Sequence, residues 1–126
     1  MFEHLDPASP TPLYAQLAER LRAAIAAGDL APGELLPSVR QLAVRLRLNP
    51  GTVVQAYRDL EGTGLVELRQ GSGTYVRELT PSRRAAEQAA VSSRLANEML
   101  ARAVGLGLSG EDLLNALRTA LGEKRR

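Results

Sequence analysis

The chain has 126 residues, a formal net charge of +2, no Cys, no Trp and a single His. That length holds one domain, or a small domain with an appendage, and excludes a large catalytic architecture. Without Cys there is no disulfide framework, thiol nucleophile or thiolate metal site, and His4 alone makes neither a His-rich metal cluster nor a hydrolytic dyad.

No run approaches the ~18 consecutive apolar residues of a membrane span, and the N-terminus lacks a charged leader followed by an apolar core. The expectation is a soluble cytoplasmic protein with no membrane partner. Leu and Ala supply 41 of the 56 apolar residues, which favours helix over strand. Charge is regional: residues 1–80 carry a net −1 and residues 81–126 a net +3. From Leu35 to Arg58 there are four Arg (Arg40, Arg45, Arg47, Arg58) and no acid. An acid-free basic window suits a phosphate-facing surface, although a solvated helix face reads the same way on charge alone.

Residues 1–10 (MFEHLDPASP) show no period and hold two Pro, as a loose arm would. Thr11-Pro12 reads as a helix start, with a capping hydroxyl and then Pro at the first position. Leu13, Leu17, Leu21, Ala24 and Ile25 recur at helical spacing, and Gly28 ends the run. Asp29–Pro37 is a turn segment with Leu35-Leu36 as apolar filler. Ser38 with Gln41 forms a capping box for a second helix reaching about Arg45, with Leu42, Ala43 and Leu46 inward and Arg40 and Arg45 outward.

After a break at Arg47-Leu48, Asn49-Pro50 restarts a helix with an Asn cap. On its wheel Val53, Ala56 and Leu60 share one face, Tyr57 lies at the margin, and Gly51, Gln55 and Arg58 point the opposite way. Gly62 and Gly64 stop it. Helix, short turn and helix with a polar, Arg-bearing outer face describe a helix-turn-helix, whose second helix enters a major groove.

Leu65–Arg69 and Thr74–Arg77 are β-prone runs joined by Gln70-Gly71-Ser72-Gly73, a hairpin that makes the motif winged. Glycines at its tip let backbone N–H groups approach a phosphate or a minor-groove floor. Thr80-Pro81-Ser82 marks a boundary. Beyond it, Val91, Leu95, Met99 and Ala103 form a stripe beside Ala96, Leu100 and Val104. A Gly-rich break (Gly105, Gly107, Gly110) follows, then Ser109 and Asp112 resemble a capping pair for a helix bearing Leu113, Leu114, Leu117 and Leu121. Two such helices are too short to bury both stripes alone. They need another surface, either the N-terminal domain or a second copy; pairing with a second copy into a four-helix core is the economical solution, with Val91, Leu95, Met99, Leu100, Leu113, Leu117 and Leu121 at the interface. Glu123–Arg126 reads as a frayed end.

The expected fold is mostly α with a small β-hairpin: an arm (1–10), a winged helix-turn-helix domain (11–79) and a two-helix antiparallel dimerisation domain (80–126). The run Pro12–Val76 resembles the DNA-binding domain of the GntR family of bacterial transcriptional regulators. It carries PLY at the first helix, G-x-L-x-P-G over Gly28–Gly33, LPSVRQLA over Leu36–Ala43, NPGTVVQAYRDLE-x-x-GL over Asn49–Leu65, and the wing G-x-G-T-Y-V. Typical members continue into a large effector-binding or aminotransferase-like domain. Here only 46 residues, 81–126, follow Thr80, which is similar to the short dimerisation domain of the YtrA-type branch.

The resemblance implies a homodimeric repressor reading a roughly palindromic operator in double-stranded DNA, near an operon that encodes an ABC-type transporter. It places Arg40 at a DNA-contacting position and Asn49, Gly51 and Thr52 at the start of the recognition helix, Asn49–Glu61. Asn49 serves equally as a pure cap. Pro50-Gly51 stand where many relatives carry a basic or polar residue, which shifts base reading toward Gln55 and Arg58. Chemically, Gln55 suits adenine and Arg58 suits guanine or phosphate, each against simple exposure. Arg45 and Arg47 read as phosphate anchors or plain surface, and Ser38 as a cap that also touches a phosphate. The wing, Arg69–Thr74, brings Arg69, Gln70, Gly71 and Gly73 to the DNA backbone or minor groove, with turn geometry alone the plainer account of the glycines. Tyr14, Tyr57 and Tyr75 read as packing residues, Tyr57 also as one that reaches a phosphate. No cofactor, metal or catalytic residue is expected, and an effector would bind at a dimer or interdomain interface. The alternative is a protein-interaction adaptor on a winged scaffold, against which stand the acid-free window and the scarcity of exposed aromatics.

Overall fold

The computed structural model describes residues 5–123; the first four residues of the arm and the frayed-end reading of residues 124–126 lie outside it. In chain order the elements are α1 (Leu13–Ala27), α2 (Val39–Leu46), α3 (Pro50–Gly62), β1 (Val66–Arg69), β2 (Gly73–Val76), α4 (Pro81–Gly105) and α5 (Gly110–Ala120). They form two compact units whose boundary falls inside α4, between Gln88 and Ala89.

In the first unit α3 is the central element, packed against α1, α2 and β1. Its inward residues Val53, Ala56 and Leu60 meet Leu17, Leu21 and Ile25 of α1 and Leu42 of α2, all within 0–2% of full burial. Leu65, Val66 and Val76 continue that core into the hairpin. Each helix starts and stops for a local reason. The Ser38–Gln41 capping box is complete, with reciprocal bonds of 3.1 Å. Asn49 Oδ1 accepts from the Gly51 amide at 2.8 Å with Pro50 at the first position, and Gly28 closes α1 in the left-handed region.

The start of α1 differs from the sequence expectation. Pro12 is itself the cap residue, no side chain caps the helix, and the Thr11 hydroxyl makes no capping bond. The Pro12 carbonyl instead accepts from Ala15 and Gln16, at 3.0 and 3.1 Å. The described part of the arm is also tied down. The Gln16 side chain accepts from the Asp6 amide and donates to the Asp6 and Thr11 carbonyls, all at 2.7–2.8 Å. A Gln one turn into the helix holds the chain that precedes it, a contact invisible to periodicity.

The hairpin is antiparallel, with Val66 opposite Val76 and Arg69 opposite Gly73. The segment read as a turn with apolar filler adds to its edge. Leu36 N donates to Thr74 O (2.8 Å), Val76 N to Glu34 O (2.9 Å) and Gly33 N to Val76 O (2.8 Å). The base of the wing is therefore pinned to the chain entering α2.

In the second unit α5 begins with the anticipated Ser109–Asp112 capping box. Ala103 is buried, while Leu95, Leu100, Leu114, Leu117 and Leu121 are exposed, from 40% at Leu117 to 76% at Leu121. No described helix is long and apolar enough to cross a membrane.

Candidate nucleic-acid interface

Burial of Val53, Ala56, Tyr57 and Leu60 sets the rotation of α3, because those four side chains can enter the core together only one way round. The opposite face then carries Gly51, Gln55 and Arg58 into solvent, with Thr52 and Val54 half-buried at its margins. Ser38, Arg40, Arg45 and Asn49 are also exposed, so the polar residues expected around the recognition helix are all accessible. Gln55 and Arg58 line a shallow groove of about 730 Å³ together with Tyr14 and Ala15 of α1, Gly51, Val54 and Asp59.

Two details fix this helix. The Tyr57 hydroxyl donates to the Pro37 carbonyl at 2.6 Å, joining α3 to the residue before the α2 cap. Tyr57 is 7% exposed, and burial pushes its phenol up to about 12. Its hydroxyl is thus committed to the helix-turn-helix geometry. Asp59, the acid next to Arg58, is paired with Arg22 of α1 at 3.7 Å. That cation offsets its charge beside the exposed face of α3.

Gly51 has a steric reason of its own. A Cβ there would sit 3.2 Å from Asn49 Oδ1, inside ordinary contact, so a side chain would crowd the cap. Asn49 spends its oxygen on that cap, which leaves its side-chain NH2 as the group able to face a base or phosphate.

On the wing, Arg69 stacks over the Tyr75 ring, 4.2 Å from its centroid, and lies 4.0 Å from Glu67. The Tyr75 hydroxyl shares a 2.5 Å hydrogen bond with Ser72 at the tip. Gln70 and Gly71 are exposed, whereas Gly73 is half-buried. Gly73 adopts φ +137°, and a Cβ there would lie 2.7 Å from Leu35 Cδ1. The second glycine of the wing is therefore needed where the pre-α2 segment crosses β2.

Sequence reasoning missed three supports of this surface: the Tyr57–Pro37 bond, the Leu35–Gly73 contact and a group of bonds from the start of α4. Arg84 donates to the Ile25 and Ala26 carbonyls (3.0 and 3.3 Å), Gln88 to Ala26 O (2.9 Å), and Arg83 to Thr63 O (2.6 Å). Neither α1 nor α3 has a basic residue in its last turn, so α4 supplies the cations that their C-terminal carbonyls favour. The i,i+4 spacing of Arg84 with Gln88 was the available signal.

A helix-turn-helix with an exposed Gln/Arg face, followed by a glycine-tipped hairpin, is a winged helix DNA-binding domain. The chain belongs to the GntR family: residues 13–76 match the family described as bacterial regulatory proteins, gntR family. It is 43% identical over 74 residues to the transcriptional repressor YtrA of Bacillus subtilis, a match covering 59% of this chain and 57% of YtrA. It is 33% identical over 115 residues to the transcriptional regulator YhcF of the same organism, covering 88% of this chain and 91% of YhcF. A GntR family transcriptional regulator from Listeria monocytogenes superposes with a TM-score of 0.71 at 28% identity, over 90% of this chain and 97% of that one. The AraR DNA-binding domain, solved with operator ORX1, superposes at 0.52 and 32% identity over 56% of this chain and 88% of that one. The protein is a transcriptional regulator with a GntR-type DNA-binding domain.

Proposed function

We propose that the chain acts in the cytoplasm as a homodimeric repressor that reads a roughly palindromic operator, with α3 in the major groove and the wing at the adjacent backbone or minor groove. The observation that carries this reading is the accessible α3 face, where Gln55 and Arg58 stand clear and the neighbouring acid, Asp59, is already paired. Gln55 matches the edge of adenine and Arg58 that of guanine. Arg40, Arg45, Ser38, Asn49, Gly51 and Thr52 hold the backbone and the helix start; Arg69, Gln70, Gly71 and Gly73 form the wing contact. The name of YtrA as a repressor supports the sign of the effect. The family resemblance further suggests a nearby transporter operon as the target.

Dimerisation is supported by the exposed leucines of α4, of α5 and at its C-terminal end, a set that a second copy would cover by an isologous pairing. Val91, Leu95, Met99, Leu100, Leu113, Leu117 and Leu121 would form that contact, and any small-molecule effector would bind at the dimer or interdomain interface. The test is salt-dependent binding to a duplex from the gene's own upstream region. About six phosphate contacts per dimer correspond to a log–log slope near −5. Leu117→Asp should yield monomers that lose operator binding. Salt-insensitive binding, or monomers that still bind tightly, would overturn the reading.

A further inference from the structure

One face of the wing is built around an arginine. Glu67 lies opposite Tyr75 and Arg69 opposite Gly73, so these four residues share one face of the hairpin. The residue directly across from Arg69 therefore has no side chain. That leaves room above β2, and the Arg69 stem slants to its diagonal neighbour, Tyr75. The guanidinium comes to rest over the ring, 4.2 Å from its centroid.

The ring is itself held. The Tyr75 hydroxyl shares a 2.5 Å hydrogen bond with the Ser72 hydroxyl. The Ser72 amide donates in turn to the Arg69 carbonyl at 2.9 Å, across the hairpin turn. Residue 75 is also bridged through its backbone to Leu35, in the segment entering α2. Arg69, Ser72 and Tyr75 thus hold one another at the tip.

The arrangement keeps the charge available. Arg69 Nε is 4.0 Å from Glu67 Oε1, beyond hydrogen-bond reach, and the two side chains are 52% and 49% exposed. An ion pair that open is weak and screened by salt. Stacking occupies the flat face of the guanidinium, whereas its N–H donors lie in the plane, at the edge. Those donors remain open to a phosphate oxygen or to an acceptor on a groove floor. A free arginine loses rotamer freedom when it engages such a group. One already laid on a ring has less to lose.

We infer that Tyr75 is a positioning residue for DNA binding: its ring holds Arg69 ready for the DNA backbone or minor groove. This rests on the wing contact proposed above. Tyr75 acts through Arg69 and adds no DNA contact of its own.

The test is a double-mutant cycle on the full chain, with a duplex selected against it from a random pool. Affinities of wild type, Arg69→Ala, Tyr75→Leu and the double variant are measured at several salt concentrations, with melting temperatures beside them. Arg69→Ala should weaken binding and lower the salt slope by about one. Tyr75→Leu should weaken binding roughly two- to fivefold, the range of one exposed cation–π pair, and have little further effect once Arg69 is gone. Tyr75→Phe keeps the ring and should recover most of that loss. Arg69→Lys keeps the charge without the planar stack, leaves Tyr75 intact, and should bind several-fold more weakly than wild type. A general structural role for Tyr75 would lower affinity by the same factor with or without Arg69, in step with the melting temperature. That additive pattern, or wild-type affinity in Tyr75→Leu or Arg69→Lys, overturns the inference while the Arg69→Ala loss leaves the wing contact standing. If Arg69→Ala binds like wild type, the wing contact itself is overturned, and the inference with it.

Discussion

Replacing Tyr57 with Phe removes one oxygen and leaves the ring in place, which isolates the bond between α3 and the entry to α2. The hydroxyl donates to Pro37 O at 2.6 Å, in a partly buried site. A neutral hydrogen bond of this kind contributes about 1 kcal/mol net. In a unit of this size a loss of ~1 kcal/mol lowers Tm by roughly 4–8 °C. Operator affinity at neutral pH should fall by less than about tenfold, because Gln55 and Arg58 keep their exposed face.

The pH dependence provides an independent check. Burial raises the Tyr57 phenol from 10.0 to about 12, so its stabilising effect is full below 10.0 and is lost as pH rises through about 12. Between those values the unfolded chain has released a proton that the native state still holds, and stability falls with pH. Tyr57→Phe has no such loss, so its deficit against wild type should narrow in that window. Urea unfolding followed by circular dichroism, at neutral pH and through the alkaline range, measures both effects. A variant as stable as wild type at neutral pH, or a deficit that widens as pH rises, would refute the assignment.

Arg40→Ala should weaken binding to all duplexes alike and reduce the salt slope by about one, whereas Gln55→Ala should relax preference at one base position; binding isotherms at several salt concentrations separate them. Gly73→Ala should destabilise the wing by about 1–3 kcal/mol, because φ +137° strains any side chain and its Cβ meets Leu35. Adding Leu35→Ala should recover only the steric part, as measured by thermal melts. The Ser109 amide and hydroxyl hold the Asp112 carboxyl below its ordinary 3.8. The α5 cap therefore stabilises at pH above 3.8 and fades as pH falls through the lowered value. Asp112→Asn should remove that acid-side dependence from the melting profile, and an unchanged dependence would assign it elsewhere.

The helices, their caps and the exposed face of α3 were legible in the sequence because helix periodicity and capping are local. Ser38–Gln41, Asn49-Pro50 and Ser109–Asp112 each announce a helix within four residues, and the α3 wheel sorts Val53, Ala56 and Leu60 from Gln55 and Arg58. Contacts between distant segments were not legible. By sequence Tyr57 reads as a packing residue that also reaches a phosphate, since nothing local shows a carbonyl 20 residues earlier within hydrogen-bond distance. Thr11 read as a cap because its type and its Pro neighbour fit the pattern, yet the chain enters α1 with Pro12 itself at the cap position.

The lack of Cys and the abundance of Leu and Ala determine that thiol chemistry is absent and that helices dominate; local sequence order alone sets the positions of α3 and the hairpin. Only the tertiary structure decided how those parts are held. It brought residues 33–36 against β2, Tyr57 against Pro37, and Arg83, Arg84 and Gln88 onto the ends of α1 and α3. The net charge of +3 beyond residue 80 takes on a specific use there, since Arg83 and Arg84 serve the C-terminal carbonyls of other helices. The physical reason is one of range. Propensity and capping act within one or two turns, whereas these bonds depend on where packing places carbonyls from segments up to 62 residues apart.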